Sequence, residues 1–246
     1  MSELEIADIF LILLIISFFT VIQSLFGVGL LVFGTPTLLL MGYDFIEALT
    51  YLLPSSFVIS LCQVYPNQHF LDRYKFDVFI FLLPMLVVGL LLIMHTSWIS
   101  LNFFIGLILL FTFLSRFFTS IELVLGHFLS KYYRLGLSII GFIHGMTNLG
   151  GAPLLILTNG LYDNKKRIQI NVAYAYLLMA LVQIIVLFLN GSFAVDFLFL
   201  SSPLISVGIF LFLGRRVFDS TSEIFYRNLM TFFILIYGLL LVSQSF

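Results

Sequence analysis

The stretch QSLFGVGLLVFGTPTLLL, residues 23–40, interrupts the apolar run 9–42 with three glycines and a proline. A second stretch, HGMTNLGGAPLLIL at residues 144–157, interrupts the apolar run 133–160 in the same way. A transmembrane helix needs about 20 consecutive apolar residues, so the first run is too long for one plain span. Paired hydrophobic segments that are interrupted by glycine are typical of the binding site of a transporter.

The composition of the chain requires a lipid bilayer as solvent. The 246 residues are 61% hydrophobic and 9% charged, whereas a soluble domain carries about 25% charged residues. The sequence therefore predicts an all-α integral membrane protein with one transmembrane domain over residues 1–246. Six further apolar runs have the approximate length of single spans: 45–65, 76–94, 98–115, 171–190, 194–213 and 226–243.

The order of these runs predicts an internal duplication. Each broken run is followed by a short charged stretch and then by three ordinary spans. This pattern divides the chain into a first repeat at 1–125 and a second repeat at 126–246.

The eleven Lys and Arg residues test two topologies. If all eight runs cross the membrane once, five of these residues fall on one face and six on the other. If each broken run returns to the side from which it entered, all eleven fall on one face. The positive-inside rule makes that face cytoplasmic, with both termini outside. We therefore expect two inverted repeats, each a glycine-broken helical hairpin plus three transmembrane helices.

Other arrangements of the broken runs are open at this point. The run 9–42 could be one long, tilted helix. The run 133–160 would give about 42 Å of helix, which is too little for two crossings of about 30 Å each. We therefore favour re-entrant hairpins, whose tips approach the midplane from opposite sides, over pairs of short full crossings.

Several classes of function are disfavoured by composition and motifs. The net charge of −1 leaves no basic stripe for nucleic acid. A single cysteine, Cys62, allows no disulfide within the chain. Because nucleophile elbows, Walker loops and metal-ligand motifs are lacking, we expect no enzyme, no cofactor and no metal. The acidic residues 1–8 and the lack of a small-residue cleavage site argue against a cleaved signal peptide.

The two broken tips are the candidate binding site. Helices that begin at such tips present free N–H groups and a positive dipole end, which together suit an anion without any buried cation. Hydrogen bonds from Ser and Thr to their own helix are the alternative interpretation of the hydroxyls. Gln63, Asn171 and Gln183 are further amides in apolar runs, which line the path or bond across helices. The candidate residues are Gln23, Ser24, Gly27, Gly29, Gly34, Thr35, His144, Thr147, Asn148, Gly150 and Gly151.

His144 is the one histidine well inside an apolar run. An ionisable side chain within a membrane is a functional candidate by default. It could donate a hydrogen bond to the anion or carry a coupling proton. A neutral histidine that donates to a carbonyl is the structural alternative. The expected partners are thus a small anionic solute, the bilayer and, as a candidate coupling ion, the proton.

At these motifs the sequence resembles the sulfite exporter TauE/SafE family. The first motif is GVGLL at 27–31 with PTLL at 36–39, and the second is HGMTNLGGAP at 144–153. The second half departs from the family at Gln169, where many members carry an arginine. The first motif lacks the run of three glycines seen in many members.

The resemblance implies a secondary transporter of the bacterial cytoplasmic (inner) membrane. Its cargo would be sulfite, a sulfonate, sulfoacetate or a related sulfur-containing anion, exported or taken up. From the residues alone, a passive anion channel and a membrane scaffold without transport activity are the alternatives.

Overall fold

The computed structural model describes residues 6–96, 101–193, 197–214 and 223–245. All regular structure in these ranges is helical. The helices are α1 (Ile6–Phe26), α2 (Leu30–Leu40), α3 (Phe45–Val64), α4 (Tyr74–His95), α5 (Leu101–Phe117), α6 (Thr119–Lys131), α7 (Tyr133–Thr147), α8 (Gly151–Leu161), α9 (Lys165–Leu189), α10 (Phe197–Ile209) and α11 (Glu223–Ser243). A 3₁₀ turn at Tyr65–Phe70 follows α3, α4 contains a π-helical turn at Val78–Leu82, and a second π-helical turn at Phe210–Gly214 extends α10.

Both interrupted runs break over three residues. The first break is 27–29, where Gly27 and Gly29 have φ angles of 76° and 150°. These are left-handed conformations that glycine adopts without steric cost. The second break is 148–150, where Asn148 has a φ of 62°. The glycines and prolines further along do not break the chain, because α2 continues through Pro36 and α8 through its first turn at Pro153.

The apolar helices agree with a multi-pass membrane protein. Four of the described helices are long and apolar enough to cross a bilayer: Ile6–Ser24, Phe45–Phe70, Tyr74–His95 and Lys165–Leu189. Leu101–Phe117 and Ser120–Lys131 would count as a fifth span if taken together, although they are bent by 105°. The other apolar helices among the described residues are shorter.

Helix α6 was not predicted, because it lies between two predicted spans. It packs against α8, where a Cβ atom at Gly160 would lie 3.1 Å from the Cβ of Ser130. It also exposes large apolar side chains, including Leu123 and Val124. The segment that connects the two halves is therefore a helix, α6, that packs against the second broken run.

Packing pairs helices of the first half with helices of the second. α3 packs on α9, α5 on α11, α4 on α7 and α1 on α10. Thr20 of α1 donates to the hydroxyl of Ser206 in α10 over 3.1 Å. The buried core is thus shared between the two halves of the chain.

The contact of α4 with α7 is a seam of glycines, at which the two backbones touch. A Cβ atom at Gly145 would lie 2.1 Å from the carbonyl oxygen of Leu86. One at Gly141 would lie 2.2 Å from the carbonyl oxygen of Leu82. Small residues spaced four apart allow this close approach of helices in membranes.

The start of α7 is held by the start of α4. The hydroxyl of Tyr133 donates to Asp77 over 2.5 Å, and Arg134 forms an ion pair with the same carboxylate at 3.2 Å. The carboxylate of Asp77 is buried, whereas Arg134 is half exposed. The hydroxyl of Tyr133 and this pair raise the pKa of the Arg134 guanidinium.

The end of α8 reaches the same segment of chain. Tyr162 donates to Asp72 over 3.0 Å, and Arg167 forms an ion pair with Asp72. Burial alone would raise the pKa of Asp72. The hydrogen bonds from the Tyr74 amide, Tyr162 and Arg167, with the Arg167 charge, outweigh burial and lower the pKa below its ordinary value of 3.8. Both ends of the second broken run therefore contact residues 72–77.

The ends of the first broken run also lie near each other. Burial raises the pKa of the Tyr43 phenol, and the carboxylates of Asp8 and Glu47 raise it further, so Asp8 of α1 lies close to the loop after α2. Glu47 and Ser192 line one shared cavity. The loop after α9 thus lies beside the first turns of α3, directly after the loop that follows α2.

Candidate functional site

The first break is held by the amide of Gln23. Its Nε2 donates to the carbonyl of Ser56 and the hydroxyl of Ser60, each over 3.1 Å. All three side chains are buried. The last full turn of α1 is therefore anchored to α3, the neighbouring helix.

Two further amides cap the carbonyl groups at this end of α1. Nε2 of Gln63 donates to the carbonyls of Gln23 and Ser24, each over 3.1 Å. Nε2 of Gln169 donates to the Ser24 carbonyl over 3.2 Å, and its own Oε1 accepts from Lys166. The hydroxyl of Ser24 donates within its own helix, to Thr20. The ammonium group of Lys166 is thus linked to the first tip through the single side chain of Gln169. The sequence analysis did not predict this link.

The glycines of the first motif have separate packing roles. A Cβ atom at Gly27 would lie 3.0 Å from the carbonyl of Gln169, so the tip touches α9. One at Gly29 would collide with Ile22 at 2.7 Å. Gly34 lies inside α2, where a Cβ atom would lie 2.9 Å from Leu52 of α3.

Asn148 joins the two broken runs directly. Its Nδ2 donates to the hydroxyl of Thr35 in α2 over 3.0 Å, and its Oδ1 accepts from Gln183 of α9 over 3.0 Å. All three side chains are fully buried. Thr147 donates within α7 and accepts from the Leu149 amide, so it shapes the turn.

His144 lies under the second tip. Its Nδ1 accepts a hydrogen bond from the Gly150 amide over 3.3 Å. Because a backbone N–H can only donate, this geometry assigns the ring proton to Nε2 and makes the imidazole neutral. The ring is fully buried and lies edge-on to Tyr176, with 5.3 Å between ring centroids.

The first turn of α8 meets the first turn of α2. A Cβ atom at Gly151 would lie 2.8 Å from Val32 and 2.4 Å from the hydroxyl of Tyr176. One at Gly150 would lie 2.7 Å from the Cβ of His144. The positive ends of two helix dipoles therefore converge where the tips touch.

The structure brings the candidate residues into one buried region around the two tips. All eleven are buried. Sequence reasoning missed Ser60 and Tyr176, because a serine or tyrosine within an apolar span gives no signal beyond its polarity. Asn171 lies elsewhere, since its amide donates to the carbonyls of Phe70 and Arg167 near the loops.

Apart from Lys166 at its edge, the polar groups of this buried region are neutral. Among the described residues, the one buried charged side chain is Asp77, which lies at the start of α4. No group of His, Cys, Asp and Glu within the described ranges could hold a metal ion. Amides, hydroxyls, an imidazole and helix N-termini can bind an oxyanion through hydrogen bonds alone.

The fold is consistent with a multi-pass helical membrane protein, with neutral hydrogen-bonding groups around two buried helix breaks. The profile of the family described as Sulfite exporter TauE/SafE matches residues 11–241. The chain belongs to this family. No curated protein and no solved structure matches the chain. Membership makes the chain a membrane transporter of the sulfite-exporter type, in a family of transporters rather than of enzymes.

Proposed function

We propose that the chain is a secondary transporter that moves a small sulfur-containing anion through a site between the two tips. The observation that carries this proposal is the junction of α2 and α8. Their N-terminal turns meet at Val32 and Gly151, and Asn148 bonds across to Thr35. Irregular backbone at membrane depth persists where it is buried in protein or lines a polar cavity. Two such breaks in contact suit a binding site at the midplane.

The pairing of helices supports two inverted repeats. α3 and α9 hold equivalent places in the two halves and pack on each other, as do α5 and α11. The contact of α1 with α10 is the counterpart of that of α7 with α4. A pattern that is unchanged when the halves are exchanged is the one expected of a pseudo-twofold axis.

The positions of the loops support re-entrant hairpins. In an arrangement of eight simple crossings, Asp72 and Arg167 would lie on opposite faces, yet they form an ion pair. Arg134 joins the same region through Asp77. This basic region is the cytoplasmic face by the positive-inside rule. The face with Asp8, the loop after α2 and the termini would then lie outside the bacterial cytoplasmic membrane.

The geometry of His144 favours donation over proton coupling. Protonation of Nδ1 would set two donors against each other and break the bond from the Gly150 amide. A proton carrier here would have to remodel the second tip at every cycle. Nε2 already carries the ring proton, so donation to an anion needs only that the neighbouring side chain of Gln183 give way. Packed tips also favour a carrier over a channel, since a channel needs a continuous path.

Counterflow in proteoliposomes tests this function. The purified chain should exchange labelled sulfite or a small sulfonate across the membrane. Gly150→Leu should abolish exchange, because its side chain would collide with His144. Gly208→Leu is the matched control, since nothing lies within 4 Å of a Cβ atom there. Full exchange by Gly150→Leu, or none by the unaltered chain with any sulfur anion, would refute the proposal.

Cysteine labelling in intact cells tests the topology. In a variant with Cys62 replaced, Asn190→Cys should react with an impermeant maleimide from outside, and Asp163→Cys should not. Both positions are exposed in the structure. The reverse pattern would contradict the proposed orientation, and labelling of both would contradict the proposed separation of the two loops.

A further inference from the structure

One buried donor near the second tip has no partner. The hydroxyl of Tyr176 makes no hydrogen bond with any described residue, and its side chain is fully buried. The neighbouring imidazole of His144, by contrast, bonds to the Gly150 amide and to the side chain of Gln183. Buried polar atoms are almost always paired, and exceptions call for a specific reason such as a ligand.

This donor lies at the N-terminus of α8. The Tyr176 hydroxyl packs against Gly151, the first residue of that helix, where a side chain would collide with it. His144 packs under Gly150, whose amide donates to Nδ1, so the protonated Nε2 is turned away from this first turn. The first turn of a helix offers unpaired amides of its own. Side-chain and backbone donors therefore converge on one place.

We propose that Tyr176 and the first turn of α8 form the subsite for the anionic head of the solute, and that this subsite selects monoanions. This inference rests on the proposed transport function and adds the class of anion that is transported. The ligand would be a sulfonate with a single charge, or hydrogensulfite. Sulfite dianion, thiosulfate and sulfoacetate, each doubly charged, would be excluded.

The selection follows from the lack of a counter-charge. Within the described ranges, no buried cation accompanies these donors. Lys166 is ten residues before Tyr176 on α9, a separation of about 15 Å along the helix, and it bonds to Gln169 at the other tip. The cost of transferring an ion from water rises with the square of its charge, so a dianion costs about four times as much as a monoanion of equal size. Neutral donors can offset the smaller cost far better than the larger one.

A panel of anions tests the charge preference in the unaltered protein. Labelled methanesulfonate, sulfite and thiosulfate are compared in counterflow, below and above the second ionisation of sulfite. Methanesulfonate exchange should be independent of pH, sulfite exchange should fall as the dianion replaces hydrogensulfite, and thiosulfate should exchange poorly throughout. Thiosulfate exchange as fast as that of methanesulfonate would overturn the selection while leaving the transport function intact. If no anion exchanges, the proposed function fails and this inference fails with it.

Tyr176→Phe tests the donor itself. The half-saturating concentration of methanesulfonate should rise about tenfold to a hundredfold, the usual effect of one hydrogen bond to a charged group. The melting temperature should not fall, because the hydroxyl bonds to no described protein group. Tyr174→Phe on the same helix is the matched control and should leave half-saturation unchanged. Unaltered half-saturation in Tyr176→Phe would overturn the assignment. If this variant does not fold, the anion panel on the unaltered chain decides.

Discussion

The glycine seam between α4 and α7 allows a prediction with a worked magnitude. In Gly145→Ala the new Cβ would lie 2.1 Å from the carbonyl oxygen of Leu86, so the helices must separate by about 1.3 Å to restore an ordinary contact of 3.4 Å. Overpacking of this kind costs about 1–3 kcal/mol. For a chain of this length, that lowers the melting temperature by about 2–12 °C.

The assay is the fraction of monodisperse protein that survives heating in detergent, followed by size-exclusion chromatography. Gly208→Ala is the control, because a Cβ atom there meets nothing within 4 Å. That change should be neutral or should stabilise the chain by up to about 1 kcal/mol, the propensity gain of Ala over Gly. If the melting temperature of Gly145→Ala equals or exceeds that of Gly208→Ala, the backbones of α4 and α7 are not in direct contact at this glycine.

Three further changes have defined outcomes in the same assay. Asn148→Gly keeps the left-handed backbone but leaves the Thr35 hydroxyl unpaired, so it should lower the free energy of unfolding by about 1–3 kcal/mol. If the losses of stability from Asn148→Gly and Thr35→Val simply add in the double variant, the two side chains are not bonded to each other. Asp77→Asn should cost a similar amount, about 1–3 kcal/mol, by removing the charged acceptor of Tyr133, and wild-type melting would show that the pair contributes nothing. The lowered pKa of Asp72 means that its stabilisation is complete above 3.8 and is lost as pH falls through the lowered value. The melting difference between wild type and Asp72→Asn should therefore vanish in acid, and a difference that grows there would reverse the assigned sign.

The helical class and the two breaks could be predicted from the sequence, because a cluster of glycines inside a long apolar run usually marks the place where a membrane helix is interrupted. The exact break could not. Gly34 and Pro36 were grouped with the first interruption, yet α2 runs through both. Proline within a membrane helix is tolerated where neighbours satisfy the freed backbone. Which glycine turns the chain is decided by tertiary contacts, such as those that hold Gly27 and Gly29 between α1 and α9.

The polar partners of the tips were only partly predictable. Gln63 and Gln183 stand out because an amide in lipid is costly without a partner. Their targets, the carbonyls at the end of α1 and the side chain of Asn148, depend on how the helices cross. Helix α6 escaped prediction because it lies between two predicted spans and polar residues interrupt its apolar sequence. Which side of α6 is buried becomes clear only from its packing against α8 in the structure.

The hydrogen bond from Thr20 to Ser206 spans 186 residues of sequence, and this separation has a consequence for biosynthesis. Helix α1 is the first described segment to leave the ribosome, whereas α10 follows only after most of the chain has been made. Gln23 finds Ser56 far sooner, 33 residues later. Until α10 has been made, the Thr20 hydroxyl can bond to a carbonyl of its own helix, as Ser and Thr commonly do within apolar helices. The contact of α1 with α10 can therefore form only after most of the chain has been made.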